Sequence, residues 1–131
     1  MENIVSIRGA ITVRENSVKE IKNATTKLLN EIFTQNNIKE EKVINIIFTV
    51  TDDLDVLNPA TVARQDLKID SIPMLCVQEM KVKDGLPKCI RIMVQAYFNK
   101  PNEIKHIYLG EAASLRPDLG DDKDAPPGRL Y

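Results

Sequence analysis

Apolar and polar residues alternate along the stretch 88–98, which reads KCIRIMVQAYF. A period of two predicts a β-strand with one buried face. The core face carries Ile90, Ile92, Val94, Ala96 and Phe98. The opposite face carries Cys89, Arg91, Met93, Gln95 and Tyr97. Arg91 is therefore the one cation on a face of uncharged residues, and it needs an anion, other acceptors or water, because an unpaired buried guanidinium is very costly.

Two helices are predicted between the strands. Ser17 and Glu20 have the spacing of a capping box, in which each side chain accepts a hydrogen bond from the other residue's backbone amide. Apolar residues then recur at helical spacing, which predicts a long amphipathic helix to about Asn36. Pro59 is tolerated in a first helical turn, so a second, short helix is predicted from Pro59 to about Gln65.

Four further stretches predict strands that complete a sheet. Residues 4–13 alternate and place Arg8 opposite the core face, and the β-branched run 43–51 predicts a well-buried strand. The remaining two are the apolar run 72–80 and the alternating stretch 104–109. The order β-α-β-α-β-β-β predicts an α+β domain whose sheet is covered by helices on one face. The other face is either solvated or buried against another subunit.

Size and charge narrow the class of protein. The 131 residues suit one domain, and the formal net charge of −1 gives no basic excess for nucleic acid or an anionic membrane. No apolar run approaches the ~20 residues that span a bilayer. The first residues do not resemble a secretory signal, so Cys76 and Cys89 are predicted to be reduced thiols in the cytoplasm. Prolines, glycines and acids after Leu119 predict a flexible tail at 120–131, which leaves 1–119 as the domain.

Few residues offer chemistry. The chain has no glycine-rich phosphate loop and no zinc-type cysteine and histidine spacing, and the lone His106 is predicted to be a sheet residue. Arg8 and Arg91 remain, each in mid-strand opposite a core face. Arg91 pairs either with an acid such as Glu79 on a neighbouring strand or with a bound anion. Two such arginines with one nearby acid favour a small anion pocket on the sheet, since the planar guanidinium suits carboxylates.

Six segments, in order, resemble those of the AroH-class chorismate mutases: IRGAITV (7–13), PATVAR (59–64), CVQEM (76–80), KCIRIM (88–93), HIYL (106–109) and LRPDL (115–119). The resemblance implies an α+β domain that assembles into a homotrimeric pseudo-α/β-barrel with active sites between subunits. It also implies conversion of chorismate to prephenate, by a Claisen-type 3,3-rearrangement, in the part of the shikimate pathway that supplies phenylalanine and tyrosine. No cofactor and no metal ion are implied.

The resemblance also implies roles for individual residues. Arg91 is similar to the arginine that donates to the ether oxygen of chorismate, where negative charge develops. Arg8 and Tyr108 resemble partners of the side-chain carboxylate, and Glu79 and Cys76 resemble groups that bind near the ring hydroxyl. Substrate-binding positions are further implied for Arg64 and Arg116 at the mouth, Leu115 as an apolar wall, and Asn58, Ala60 and Leu75.

Some positions depart from the family pattern. Asn58 stands where an aromatic residue is frequent, Thr61 where a basic residue is frequent, and Leu75 where threonine is common. An alternative function is therefore a trimeric protein that binds or senses a small carboxylate metabolite without turnover. A third is an imine-hydrolysing enzyme of a similar trimeric fold, against which CVQEM and LRPDL argue.

Overall fold

The computed structural model describes residues 2–115. It contains one five-stranded mixed sheet in the order β3-β2-β4-β1-β5. The strands are β1 (Asn3–Thr12), β2 (Val43–Val50), β3 (Met74–Gln78), β4 (Cys89–Phe98) and β5 (Ile107–Leu109). β4 lies antiparallel between β1 and β2, whereas the outer strands β3 and β5 run parallel to their neighbours. The predicted α+β class and the predicted order of elements are confirmed.

Two α-helices and three short 3₁₀ helices connect the strands. The helices are α1 (Val18–Asn36) and α2 (Pro59–Gln65), and the 3₁₀ helices span Glu40–Lys42, Pro101–Glu103 and Gly110–Leu115. Half of the predicted capping box of α1 is present, since Ser17 Oγ accepts from the Glu20 amide at 3.1 Å. The reciprocal half is wrong, because the Ser17 amide donates to the carbonyl of Glu15 instead.

The helices pack on one face of the sheet and form the main core with it. The alternation in β4 is confirmed, because Ile90, Ile92, Val94 and Ala96 are all buried against this core. Gly9 in β1 permits the closest approach. A Cβ there would lie 2.9 Å from the Ile107 carbonyl oxygen and 3.1 Å from Ile32 Cδ1, so β5 and α1 pack where only a glycine fits.

Within residues 2–115, neither α-helix covers the opposite face of the sheet, called the open face below. The prediction of a well-buried β2 is wrong for this reason, since Ile46 and Phe48 are buried but Ile47 between them is 36% exposed. Other large apolar residues exposed on this face are Ile4, Leu75, Val77 and Tyr97. The open face therefore carries an exposed apolar patch of the kind that marks a binding or subunit-contact surface.

Buried hydrogen bonds hold the segment that leads into β5. The buried Asn36 side chain donates to the Lys105 carbonyl at 2.9 Å and accepts from the Lys105 amide at 2.7 Å. Next along the chain, His106 Nδ1 accepts from the Arg8 amide at 2.9 Å. These bonds set the register that places Tyr108 beside Ala10.

Two sequence predictions concern the ends of elements and of the chain. Strands were predicted at 72–80 and 104–109. The observed β3 is shorter than predicted at both ends, and β5 begins three residues later than predicted. The predicted tail at 120–131 and Arg116 lie outside the described residues. Within residues 2–115, no helix combines the length and apolar character that a membrane span requires.

Candidate active site

A row of paired residues crosses the open face and has Arg91 near its middle. Arg91 of β4 is the register partner of Thr49 in β2 and of Ala10 in β1, and Ala10 is the partner of Tyr108 in β5. Register partners point to the same side of a sheet and are near neighbours. The alternation that set Arg91 apart in the sequence thus places its side chain on the open face, between Thr49 and Ala10.

Glu79 reaches this row from the loop after β3. Its backbone amide donates to the Val50 carbonyl at 2.7 Å, which brings its side chain over β2. Glu79 Oε1 lies 3.7 Å from Arg91 Nη1, and both side chains are about one-fifth exposed, at 22% and 18%. The internal ion pair considered from the sequence is therefore present. The prediction that Glu79 lies on a strand next to that of Arg91 is wrong, because β2 lies between β3 and β4.

The contact between Glu79 and Arg91 is a loose one. A separation of 3.7 Å exceeds the 2.7–2.9 Å that is usual for a charge-assisted N–H···O bond, so the two groups attract without closing on each other. Glu79 Oε1 instead accepts a hydrogen bond of 2.8 Å from Thr49 Oγ1. Oε2 has no hydrogen-bonding partner within residues 2–115, and it remains able to accept one from a ligand.

Arg8 supplies a second cation on the open face. Its register partner is Met93, two residues along β4 from Arg91, which makes Arg8 and Arg91 diagonal neighbours about 7–8 Å apart. Arg8 is partly buried, and its guanidinium makes no ion pair in the part of the chain that the structure describes. Two arginines on one face of the sheet suit a small ligand that carries two carboxylates.

A small apolar cluster forms the wall beside the arginines. Its buried members are Ala10, Cys89, Tyr108, Ala112 and Leu115, and Leu86 packs against them. Burial raises the pKa of the Cys89 thiol to about 12, and Arg91 only partly offsets this effect. Cys89 is therefore a protonated thiol at physiological pH, which makes it a packing residue and not a nucleophile.

A cavity of about 460 Å³ opens next to Glu79. It is lined by Thr51, Asp52, Asp53, Glu79, Met80, Lys81, Val82, Gly85, Leu86 and Pro87. This volume lies in the range of small-molecule sites. A larger cavity of about 710 Å³ lies at the other end of the molecule, around the segments 35–37 and 98–105, and it contains none of the predicted site residues.

Several residues that the resemblance assigned to the substrate lie on the helix-covered side. Cys76 is the register partner of Phe48 and packs against the main core, where burial raises the pKa of its thiol. Asn58 caps α2 by accepting from the Ala60 amide at 2.8 Å, and Ala60 is buried in the core. Arg64 is exposed in the last turn of α2.

One chain therefore assembles part of the predicted site. It brings Glu79, Arg91 and Arg8 to the open face, next to a wall that contains Tyr108 and Leu115. Leu75 also faces this side but is 65% exposed on the outer strand β3. The residues placed apart from this group are Asn58, Ala60, Arg64 and Cys76.

Three polar residues that the sequence did not single out support the site. Thr49 binds Glu79, as described above. Asp53 accepts from the Lys88 amide at 3.0 and 3.2 Å and from the Thr51 hydroxyl, and Thr51 in turn accepts from the Cys89 amide at 3.0 Å. This network holds the start of β4, two residues before Arg91. The only signal for Thr49 was the period of two in β2, which places it on the open face.

The fold and the described side chains together define a small α+β protein with two arginines and a glutamate on the open face of its sheet. Comparison with known proteins is more specific. The sequence profile of the family "Chorismate mutase type I" matches residues 4–119. The chain is 38% identical over 122 residues to chorismate mutase AroH of Bacillus subtilis (strain 168), covering 92% of this chain and 96% of that protein.

Two further relatives agree. Chorismate mutase AroH of Thermus thermophilus is 41% identical over 115 residues, which cover 86% of this chain and 93% of that protein. The solved structure of a chorismate mutase from Clostridium thermocellum superposes with a TM-score of 0.80 at 43% identity, covering 82% of this chain and 96% of that one. The chain belongs to the chorismate mutase type I family, whose members are isomerases.

Proposed function

We propose that this chain converts chorismate to prephenate in the synthesis of phenylalanine and tyrosine. The observation that carries the proposal is the Arg91 guanidinium, which is 18% exposed, faces the open side of the sheet and lies 3.7 Å from the Glu79 carboxylate. In this rearrangement an ether C–O bond breaks while a C–C bond forms within one molecule. All atoms of the substrate are retained in the product, so the reaction needs no co-reactant.

Arg91 stabilises the transition state. As the C–O bond breaks, negative charge develops on the ether oxygen, and a fixed cation aimed at that oxygen binds the transition state more tightly than the substrate. Water is largely excluded around Arg91, which strengthens this interaction relative to the same contact in water. Arg8, at the diagonal register position, puts a second cation on the same face of the sheet.

The other residues hold the substrate in its compact, reactive conformation. Arg8 and Tyr108 bind the side-chain carboxylate, and Glu79 Oε2 accepts a hydrogen bond from the ring hydroxyl. Leu115 and the surrounding apolar cluster pack against the ring. Restricting a flexible substrate in this way contributes to the rate without any proton transfer.

We also propose that the chain forms a homotrimer in which neighbouring copies complete each site. The apolar residues exposed on the open face support packing against another copy, since large exposed apolar patches mark such surfaces. The helix side of one chain carries Arg64 and Cys76, which lie apart from Arg91. A neighbouring copy could place these residues next to the open-face group.

The catalytic proposal is tested with purified protein and chorismate. We expect prephenate to appear as chorismate disappears, with saturation at high substrate concentration. Titration calorimetry with the same ligand separates the alternatives. Heat of binding without prephenate formation would identify a binding or sensing protein, and it would overturn the proposal.

The assembly proposal has a separate test. Light scattering should give a mass near three times 14.8 kDa, about 44 kDa. Mixing unfolded Arg91→Ala and Arg64→Ala chains and refolding them together should restore activity, because some mixed interfaces would then carry both native arginines. A monomeric mass, or no recovery in the mixture, would contradict sites shared between copies.

We place the enzyme in the cytoplasm. Both Cys76 and Cys89 are free thiols, as is usual for proteins of a reducing compartment. Fractionation of the source cells with an antibody against the chain would test this, and recovery outside the cytoplasmic fraction would contradict it.

A further inference from the structure

We propose that Thr49 is a positioning residue that keeps Glu79 from closing on Arg91. This inference rests on the proposed function, because it assigns a role to a third side chain of the same site. Thr49 is the register partner of Arg91 across β2 and β4, and its hydroxyl donates to Glu79 Oε1 at 2.8 Å. No role for it follows from the sequence pattern.

The Glu79 side chain is held at both ends. Its backbone is fixed by the amide bond to the Val50 carbonyl at 2.7 Å, and its carboxylate is fixed through Oε1 by Thr49. Arg91 Nη1 approaches the same oxygen, but only to 3.7 Å. With Oε1 held in this way, Oε2 is the oxygen that can accept from a substrate hydroxyl.

The fixed position of Oε1 matters for Arg91 as much as for Glu79. An arginine and a carboxylate that are free to approach form short bonds of about 2.7–2.9 Å, often two in parallel. Such a closed pair would draw the guanidinium towards Glu79 and away from the ether oxygen of the substrate. By fixing the position of Oε1, Thr49 keeps the pair at 3.7 Å and preserves the positive field where charge develops.

Thr49→Val removes the hydroxyl at nearly constant volume and keeps a residue that favours strands. We expect kcat to fall about tenfold, the effect of losing one hydrogen bond of ordinary strength, with a smaller change in KM. Thr49→Ser restores the hydroxyl and should recover most of kcat. Thr34→Val, at an exposed site on α1, is the matched control and should leave kcat unchanged.

A double-mutant cycle separates this positioning role from a general effect on structure. If Thr49 acts through Glu79, Thr49→Val should have little further effect on kcat once Glu79→Gln is present. Circular dichroism and thermal unfolding of each variant establish that it is folded, and Thr49→Ala replaces Thr49→Val if the latter does not fold.

The outcomes distinguish this proposal from the one on which it rests. Wild-type protein without turnover would overturn both. Wild-type turnover with an unchanged kcat in Thr49→Val would overturn only the role of Thr49. Equal losses for Thr49→Val in the native and the Glu79→Gln backgrounds, or no recovery with Thr49→Ser, would overturn it too.

Discussion

Replacing Arg91 by alanine perturbs the site most directly. The guanidinium is 18% exposed, lies 3.7 Å from the Glu79 carboxylate and faces the open side of the sheet. Loss of one preorganised donor to a developing oxyanion costs about 10²–10³ in kcat, or ~2.7–4 kcal/mol. We expect Arg91→Ala to lose at least that factor in kcat.

The effect of this substitution on folding should be much smaller. The ion pair is longer than a hydrogen bond, so we expect the loss of this contact to cost about 1 kcal/mol. Glu79 also keeps its bond to Thr49. For a domain of this size, we expect the melting temperature to fall by about 4 °C. Arg91→Lys keeps the charge but loses the planar fork, and its kcat should lie between those of the wild type and Arg91→Ala.

The assay combines initial rates of prephenate formation with thermal unfolding of each variant. Rates are measured well below the melting temperature, so that the fraction unfolded does not contribute. A folded Arg91→Ala variant whose kcat stays within about threefold of wild type would refute the reasoning, since so small a factor corresponds to less than one ordinary hydrogen bond.

Three further predictions concern pH, the cysteines and Gly9. Turnover should change little between about pH 6 and 9, because no group in the proposed mechanism transfers a proton; a bell-shaped profile centred near neutrality would contradict it. The pKa of Cys89 is raised from 9.0 to about 12 by burial, so the stability linked to this thiol is complete below pH 9 and is lost as the pH rises from 9 towards 12. Chemical denaturation at pH 7, 9 and 10.5 measures this loss of stability. A thiol-alkylating reagent should modify the half-buried Cys76 well before the buried Cys89. Faster alkylation of Cys89 would contradict its burial. Gly9→Ala would place a Cβ 2.9 Å from the Ile107 carbonyl oxygen and should destabilise the fold by about 1–3 kcal/mol in denaturant titration, whereas an unchanged midpoint would show that β5 can shift.

Patterns of local sequence predicted most of the fold. The period of two in β4 identified both the buried face and the unusual side of Arg91, and the capping residue Ser17 marked the start of α1. Burial of β2 was predicted wrongly, because β-branched residues look alike on a face packed by helices and on one that is left exposed. Only the three-dimensional arrangement distinguishes Ile46 from Ile47.

The site was predictable only in part, for a related reason. Period and charge led to Arg8, Arg91 and the possible partner Glu79, but not to the strand order that places β2 between β3 and β4. Strand order depends on long-range pairing, which leaves no local pattern. Thr49 went unnoticed for this reason, since its importance arises only because Glu79 crosses over β2.

The central claim is that this chain accelerates the rearrangement of chorismate, and the rate ratio between enzyme and buffer tests it most directly. Chorismate is incubated with and without the purified protein under identical conditions, and prephenate is quantified over time. We predict that turnover exceeds the spontaneous first-order rate by about 10⁶ or more, the lower end of what enzymes achieve. A ratio near one with folded protein would contradict the account.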